Sequence, residues 1–67
     1  MNKMQNTKRI FVRDLNANDQ FTMPGERTVY VCESRRNKDN QTLITYRLDG
    51  IFASFTRPSL ATVDLLV

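Results

Sequence analysis

The densest group of chemically capable side chains in this 67-residue chain is a run of cations, Arg35, Arg36 and Lys38. Guanidinium and ammonium groups so close together can hold a phosphate backbone, the first by paired hydrogen bonds and the second as a point charge. Lys8, Arg9 and Arg13 extend the set if the N-terminal segment lies nearby. Asp39 partly neutralises the run. The competing reading is a solvated loop whose charges discourage edge pairing and aid solubility. Arg47 is a further cation, set mid-strand with Leu43 and Thr45 on its face. It either projects toward an acidic ligand or pairs across strands with a carboxylate such as Glu33.

Six rings accompany these cations: Phe11, Phe21, Tyr30, Tyr46, Phe52 and Phe55. Single-stranded nucleic-acid binders combine basic grooves with exposed rings that stack on bases. A small core also needs rings to fill it, and most of the six are expected there. Tyr30 and Phe52 are the candidates for exposure. Phe52 alternates with Ser54 and Thr56, which makes that face semi-polar. An exposed ring there suits a protein partner equally well.

Other chemistry is poorly supplied. The chain has no His and one Cys. It therefore lacks the commonest general base, the His of a nucleophilic triad, and the ligands of a zinc finger. Cys32 has no partner for a disulfide, and a plain buried thiol is the expectation. The carboxylates Asp14, Asp19, Glu26, Glu33, Asp39, Asp49 and Asp64 show no calcium-loop spacing. Asp14 and Asp19 read as turn residues that bond local backbone N–H groups. No phosphate-binding or dinucleotide fingerprint occurs. The reading is a non-enzyme with no metal and no cofactor.

Ten Lys/Arg against seven Asp/Glu give a net charge of +3, a modest bias toward a polyanionic partner. No apolar run approaches the ~18 residues of a membrane span. The N-terminal residues lack the apolar region of a secretory leader. With the lone Cys, this places the expected protein in a reducing cytoplasm.

These side chains need elements to position them. Residues 1–8 read as a short, flexible, basic arm. Structured sequence is expected from Arg9 onward, as one domain over residues 9–67. Arg9–Leu15 reads as a strand, followed by the turn formers Asn16, Ala17, Asn18 and Asp19. Phe21 is an apolar anchor, and Met23-Pro24-Gly25-Glu26 is a second turn. Arg27–Ser34 is a strand with apolar residues on both faces, Val29 and Val31 against Tyr30 and Cys32. Which face is buried stays open, because a one-residue slip exchanges them. Arg35–Asn40 reads as a polar loop and Gln41–Leu48 as a strand. Asp49-Gly50 fits the type I′ turn of a tight hairpin, so Leu48 should face Ile51. Ile51–Thr56 is its second strand, ended by Pro58. A 3₁₀ turn is expected next, then a last strand, Ala61–Leu66, with Val63 and Leu65 inward and Asp64 outward. A helix over Pro58–Val67 competes, but it is too short to hold itself.

Five short strands in this order resemble an SH3-like barrel, which hides its edges by closing. The segment from Val12 through Asp14, Leu15, Asn18 and Asp19 to Phe21 resembles the V-x-D-L-x-x-G-D-x-F opening of many small phage and bacterial barrels. Asn18 stands where that motif has Gly, and Asn tolerates a left-handed backbone. The resemblance spans residues 9–67 by layout. It implies the fold and a phage or bacterial accessory protein, and no activity.

The expected protein is thus a small all-β binding module. One reading has it binding RNA or single-stranded DNA through the basic loop. The alternative is a protein-interaction module, an adaptor or an inhibitor of a host protein, with a homo-oligomer as one form of it. A small barrel with surplus apolar strand faces has surface left to cover.

Overall fold

A computed structural model describes residues 6–67. Its strands in chain order are Thr7–Phe11 (β1), Gln20–Thr22 (β2), Tyr30–Lys38 (β3), Gln41–Leu48 (β4), Ile51–Pro58 (β5) and Thr62–Leu66 (β6). They form one antiparallel sheet in the order β1-β6-β2-β3-β4-β5. The all-β expectation holds, with six strands in place of five. The added strand is β2, where Phe21 pairs with Tyr30 on one side and Leu65 on the other. β1 and β5 are the two ends of the sheet and do not pair with each other, so the sheet is open.

The sheet nevertheless curls strongly. In a flat sheet, β2 and β5 would lie roughly 14 Å apart, given strand spacing of about 4.8 Å. The rings of Phe21 and Phe55 instead meet edge-on, with centroids 6.3 Å apart. The concave side holds the core of Val12, Leu15, Phe21, Cys32, Ile44 and Val63. Burying a Leu, Ile or Phe side chain contributes about 1.5–3 kcal/mol, so these few residues carry much of the fold. Tyr30, Tyr46, Phe55 and Leu65 pack around them half-buried.

The N-terminal expectation needs correction in two places. Thr7 and Lys8 belong to β1, paired with Leu66 and Leu65, so the expected arm ends earlier than Lys8. Residues 1–5 of that arm lie outside the described residues. The strand expected over Arg9–Leu15 stops at Phe11, and a 3₁₀ turn follows at Val12–Asp14. The Val12 N–H bonds the Ala61 carbonyl, and the Leu15 N–H closes back onto Val12. That turn drives Val12 and Leu15 into the core instead of alternating them across a sheet. The turn formers behind it act as expected. Asn18 has φ 74°, and Asp19 accepts a 2.8 Å bond from the Asn16 N–H.

The C-terminal half is a meander of three long strands joined by tight turns. Asp49 and Gly50 have φ of 50° and 78°, and Leu48 faces Ile51 as expected of a type I′ hairpin. The β3–β4 connection is the same device. Asp39 and Asn40 have φ of 52° and 65°, so the polar segment expected as a loop is strand as far as Lys38. Asp and Asn reach the left-handed region through local side-chain bonding, and a two-residue Asp-Asn turn therefore suffices.

β5 extends past the expected end at Thr56, with Pro58 as its last residue. In a two-residue hairpin the flanking residues exchange hydrogen bonds, and alternate residues then do so along the ladder. That makes Ile51, Ala53, Phe55 and Arg57 bond to β4. The Ser59 N–H to Asn40 carbonyl bond, 2.8 Å, keeps the same phase. Pro58 falls at a position whose missing N–H would point away from β4, so it costs no ladder bond. The single turn expected here closes through the Ala61 N–H, which bonds the Pro58 carbonyl three residues back at 2.9 Å. β6 then turns Val63 into the core, while Asp64 pairs with Arg9 on the opposite face.

Candidate functional site

The register of the meander decides which cations share a face. Cys32 pairs with Tyr46, yet Ser34 pairs with Thr45, so a bulge sits at Glu33. A bulge inserts one residue and reverses the in-out phase of everything after it. Arg35 therefore lands beside Ile44, on the concave side, and Arg36 beside Leu43, on the convex side. Arg35 donates a 2.8 Å hydrogen bond to the Leu15 carbonyl and so ties β3 to the segment after the 3₁₀ turn. The cation cluster read from the sequence is divided: Arg35 braces the fold, while Arg36 and Lys38 face outward from the sheet.

The convex face of the meander is built from alternate residues of the three strands. β3 contributes Val31, Ser34, Arg36 and Lys38; β4 contributes Gln41, Leu43, Thr45 and Arg47; β5 contributes Phe52, Ser54 and Thr56. Phe52 is 61% exposed and Leu43 37%. Near the β3–β4 turn, Arg36, Lys38, Asp39, Gln41, Leu43 and Thr56 line an open depression of about 400 Å³. Its floor is apolar and hydroxylic and its wall cationic. Toward the opposite end Phe52 stands directly across from Arg47.

Arg47 is bonded to Glu33 across β3 and β4, which is the pairing reading and not the free-cation one. The remaining candidates are dispersed. Lys8 lies on β1 opposite Leu65, and β1 is separated from β3 in the sheet by β6 and β2. Arg9 pairs with Asp64 at 3.0 Å, and that carboxylate raises the Arg9 pKa further. Arg13 stacks over the Phe11 ring at 5.5 Å and approaches Asp14 at 4.0 Å. It also borders a polar depression with Lys38, Asp39 and Asn40, so of Lys8, Arg9 and Arg13 it is Arg13 that comes near the cluster.

Of the two candidate exposed rings, Tyr30 is turned inward. It stacks on Phe21 with ring centroids 5.4 Å apart and meets Tyr46 edge-on at 4.9 Å. Its hydroxyl donates to Glu26, and desolvation first, then that bond, raise its pKa. The question of which face of this strand is buried is thereby settled: Tyr30 and Cys32 point in, Val31 out. Cys32 is fully buried, and desolvation, helped by the nearby Asp19, raises its thiol pKa. A raised pKa and no access make a poor nucleophile.

Sequence reasoning placed Leu43 and Thr45 on the face of Arg47 but missed them as neighbours of Arg36 and Lys38, because it ended the preceding strand at Ser34. The alternation of Phe52, Ser54 and Thr56 did mark the face they share. Among the described residues no group of His, Cys, Asp and Glu could hold a metal ion, and no helix is long and apolar enough to cross a membrane. No family model, curated protein or solved structure matches this chain.

Proposed function

We propose that the convex face of the β3–β4–β5 meander binds single-stranded nucleic acid. The observation that carries this reading is the exposed ring of Phe52 on the same face as Arg36 and Lys38, with Ser54, Thr45 and Thr56 between. A ring offers a stacking platform for a base, cations offer phosphate contacts, and small hydroxyl side chains leave the backbone room to lie flat. The contact set is smaller than the sequence reading: Arg36, Lys38 and Phe52, with Arg47 held beside the ring by Glu33. The SH3-like reading of the fold belongs with this proposal. The tight-turned meander and the strongly curled sheet support it, and closure of the sheet is no part of it.

The test is fluorescence anisotropy with labelled mixed-sequence RNA and DNA single strands, between about 50 and 200 mM salt. Binding should weaken as salt rises, since each phosphate contact releases counterions. Removing Arg36 and Lys38 together should lower the log–log salt slope by roughly 0.7 per lost contact. Phe52→Ala should weaken binding by about 1–3 kcal/mol with the slope retained. An unchanged slope in the Arg36/Lys38 double variant would refute the site.

A second reading has one observation of its own. Ile51 is 68% exposed at the tip of the Asp49-Gly50 hairpin, on the face opposite Phe52, so the tip is apolar on both sides. That tip suits a protein partner, whose binding would tolerate salt and fail in Ile51→Ser.

A further inference from the structure

We infer that β5 is a dimerisation edge, which pairs antiparallel with β5 of a second copy to continue the sheet across a two-fold axis. This inference stands apart from the nucleic-acid reading. It starts from the two ends of the sheet. β1 carries Lys8 and Arg9 within its short length, and charges there discourage a new strand. β5 has no charge from Ile51 to Thr56, is exposed along almost its whole length, and among the described residues pairs with β4 alone.

The hydrogen-bond phase of the hairpin fixes what that edge offers. Ile51, Ala53, Phe55 and Arg57 are committed to β4, so Phe52, Ser54 and Thr56 direct their N–H and C=O groups outward. Among the described residues, no backbone group bonds these outward positions. The Thr56 carbonyl accepts only from the Arg57 guanidinium, at 3.0 Å. Pro58 is next in the series and has no N–H, which limits the edge at that end.

Only one register uses every free group. A two-fold axis at Ser54 places Ser54 opposite the partner's Ser54 and Phe52 opposite the partner's Thr56. Each of these pairs exchanges bonds in both directions, because all of their members face outward. A two-fold axis at Ala53 or Phe55 would leave Thr56 or Phe52 without an exchange partner, or oppose a free group to Pro58.

The side chains agree with that register. On the convex side Phe52 covers the partner's Thr56. On the other side Ile51 lies opposite the partner's Arg57, whose stem covers it, and Ala53 opposite the partner's Phe55. No like charges face each other. Arg57 comes diagonally beside the partner's Asp49, within reach of a long side chain. Neither residue has an ion pair within the chain among the described residues. Pairing takes the Thr56 carbonyl, and the Arg57 guanidinium, which also lies 5.0 Å over its own Phe55 ring, is then open to that carboxylate. Such an interface is isologous and closes on itself. A strand this short buries less than the roughly 1,200–2,000 Å² of a standard interface, so assembly should depend on concentration.

The experiment is sedimentation equilibrium of the full chain over a concentration series, with amide exchange followed by NMR at both ends of the series. The expected result is a monomer–dimer equilibrium in which the Phe52, Ser54 and Thr56 amides gain protection as the dimer forms. The Ala53 and Phe55 amides, already bonded to β4, should change little. Ser54→Lys places two ammonium groups on the axis and should abolish the dimer. A dimer that survives Ser54→Lys with the alternate amides unprotected would overturn the inference by placing the interface elsewhere. A monomer at every concentration would also overturn it. So would protection of those amides that appears only when a foreign protein is added. The exchange pattern of the unaltered chain decides the matter even if the Lys variant does not fold.

Discussion

The concave and convex faces of the meander are made by the same three strands, residue by residue in alternation, yet they carry different loads. The concave face holds Cys32, Ile44, Tyr46 and Phe55 against Phe21 and Leu15. The convex face holds Arg36, Lys38, Leu43, Arg47 and Phe52 against solvent. One sheet face in a small domain must supply most of the burial, because there is too little chain for a second core. The other face is then free of packing constraints, and an exposed phenyl ring on it is there at no gain to folding.

The sharpest way to break that comparison is to remove one ring from the core under the concave face and one from the convex face. Phe21→Ala should cost about 3–5 kcal/mol, comparable to the whole stability expected of a domain this size. The variant should be largely unfolded by circular dichroism and urea titration. Ile44→Val, at about 0.5–1.5 kcal/mol, gives a folded point on the same scale. Phe52→Ala should shift the urea midpoint by no more than about 0.5 kcal/mol equivalent. If Phe52→Ala destabilised as much as Ile44→Val, the convex face would be packed against something and the division of labour would fail.

A smaller effect separates adjacent cations. Arg35 donates to the buried Leu15 carbonyl, while Arg36 points to solvent one residue later. Arg35→Ala should lose about 1 kcal/mol of stability, since it leaves a backbone carbonyl without its donor. It should leave the salt slope of nucleic-acid binding intact. Arg36→Ala should do the reverse. Urea titration and salt-dependent anisotropy on the two variants test the bulge at Glu33 directly. Matching behaviour of the two would mean the phase reversal has no functional consequence.

That bulge also marks the limit of what could be read from the residues alone. Strand β4, its partner β5 and the Asp49-Gly50 turn were legible, because β-branched runs around an Asp-Gly pair have few other solutions. So was the inward Val63 with outward Asp64. The second turn was not, because Asp39-Asn40 sits inside a polar run with no apolar alternation to announce a strand. The bulge has no residue signature of its own: Glu33 is an ordinary strand residue until the pairing of both neighbours is known. Parity downstream of it was therefore unreadable, and with it the separation of Arg35 from Arg36. The 3₁₀ turn at Val12–Asp14 hid for a related reason. Arg9–Leu15 has strand composition, and only the hydrogen bonds to Ala61 and Ser59 turn it aside.

The smallest effect concerns one side chain of β3 and follows from the same alternation. Cys32 points into the core, and burial raises the pKa of its thiol. In the unfolded chain the thiol ionises near about 8.5. Below that pH both states hold the proton, and the group contributes no pH dependence. As pH rises past it, the unfolded state releases its proton while the folded state keeps it. Stability therefore falls with rising pH, from the unfolded pKa up to the folded one. Tyr30 is raised as well, chiefly by desolvation, and adds a similar loss starting from its higher unfolded value near about 10. Urea midpoints measured at neutral pH and just above the unfolded thiol pKa should show this decline in the natural chain. The Cys32→Ala variant, less stable throughout because of the lost sulfur, should lack the first part of the decline. A thiol reagent should modify Cys32 only at the rate of unfolding, since the side chain has no access in the folded state. An equal decline in both chains, with rapid modification at neutral pH, would turn Cys32 outward and Val31 inward. The convex face would then be a different set of residues from the one that carries Arg36, Lys38 and Phe52.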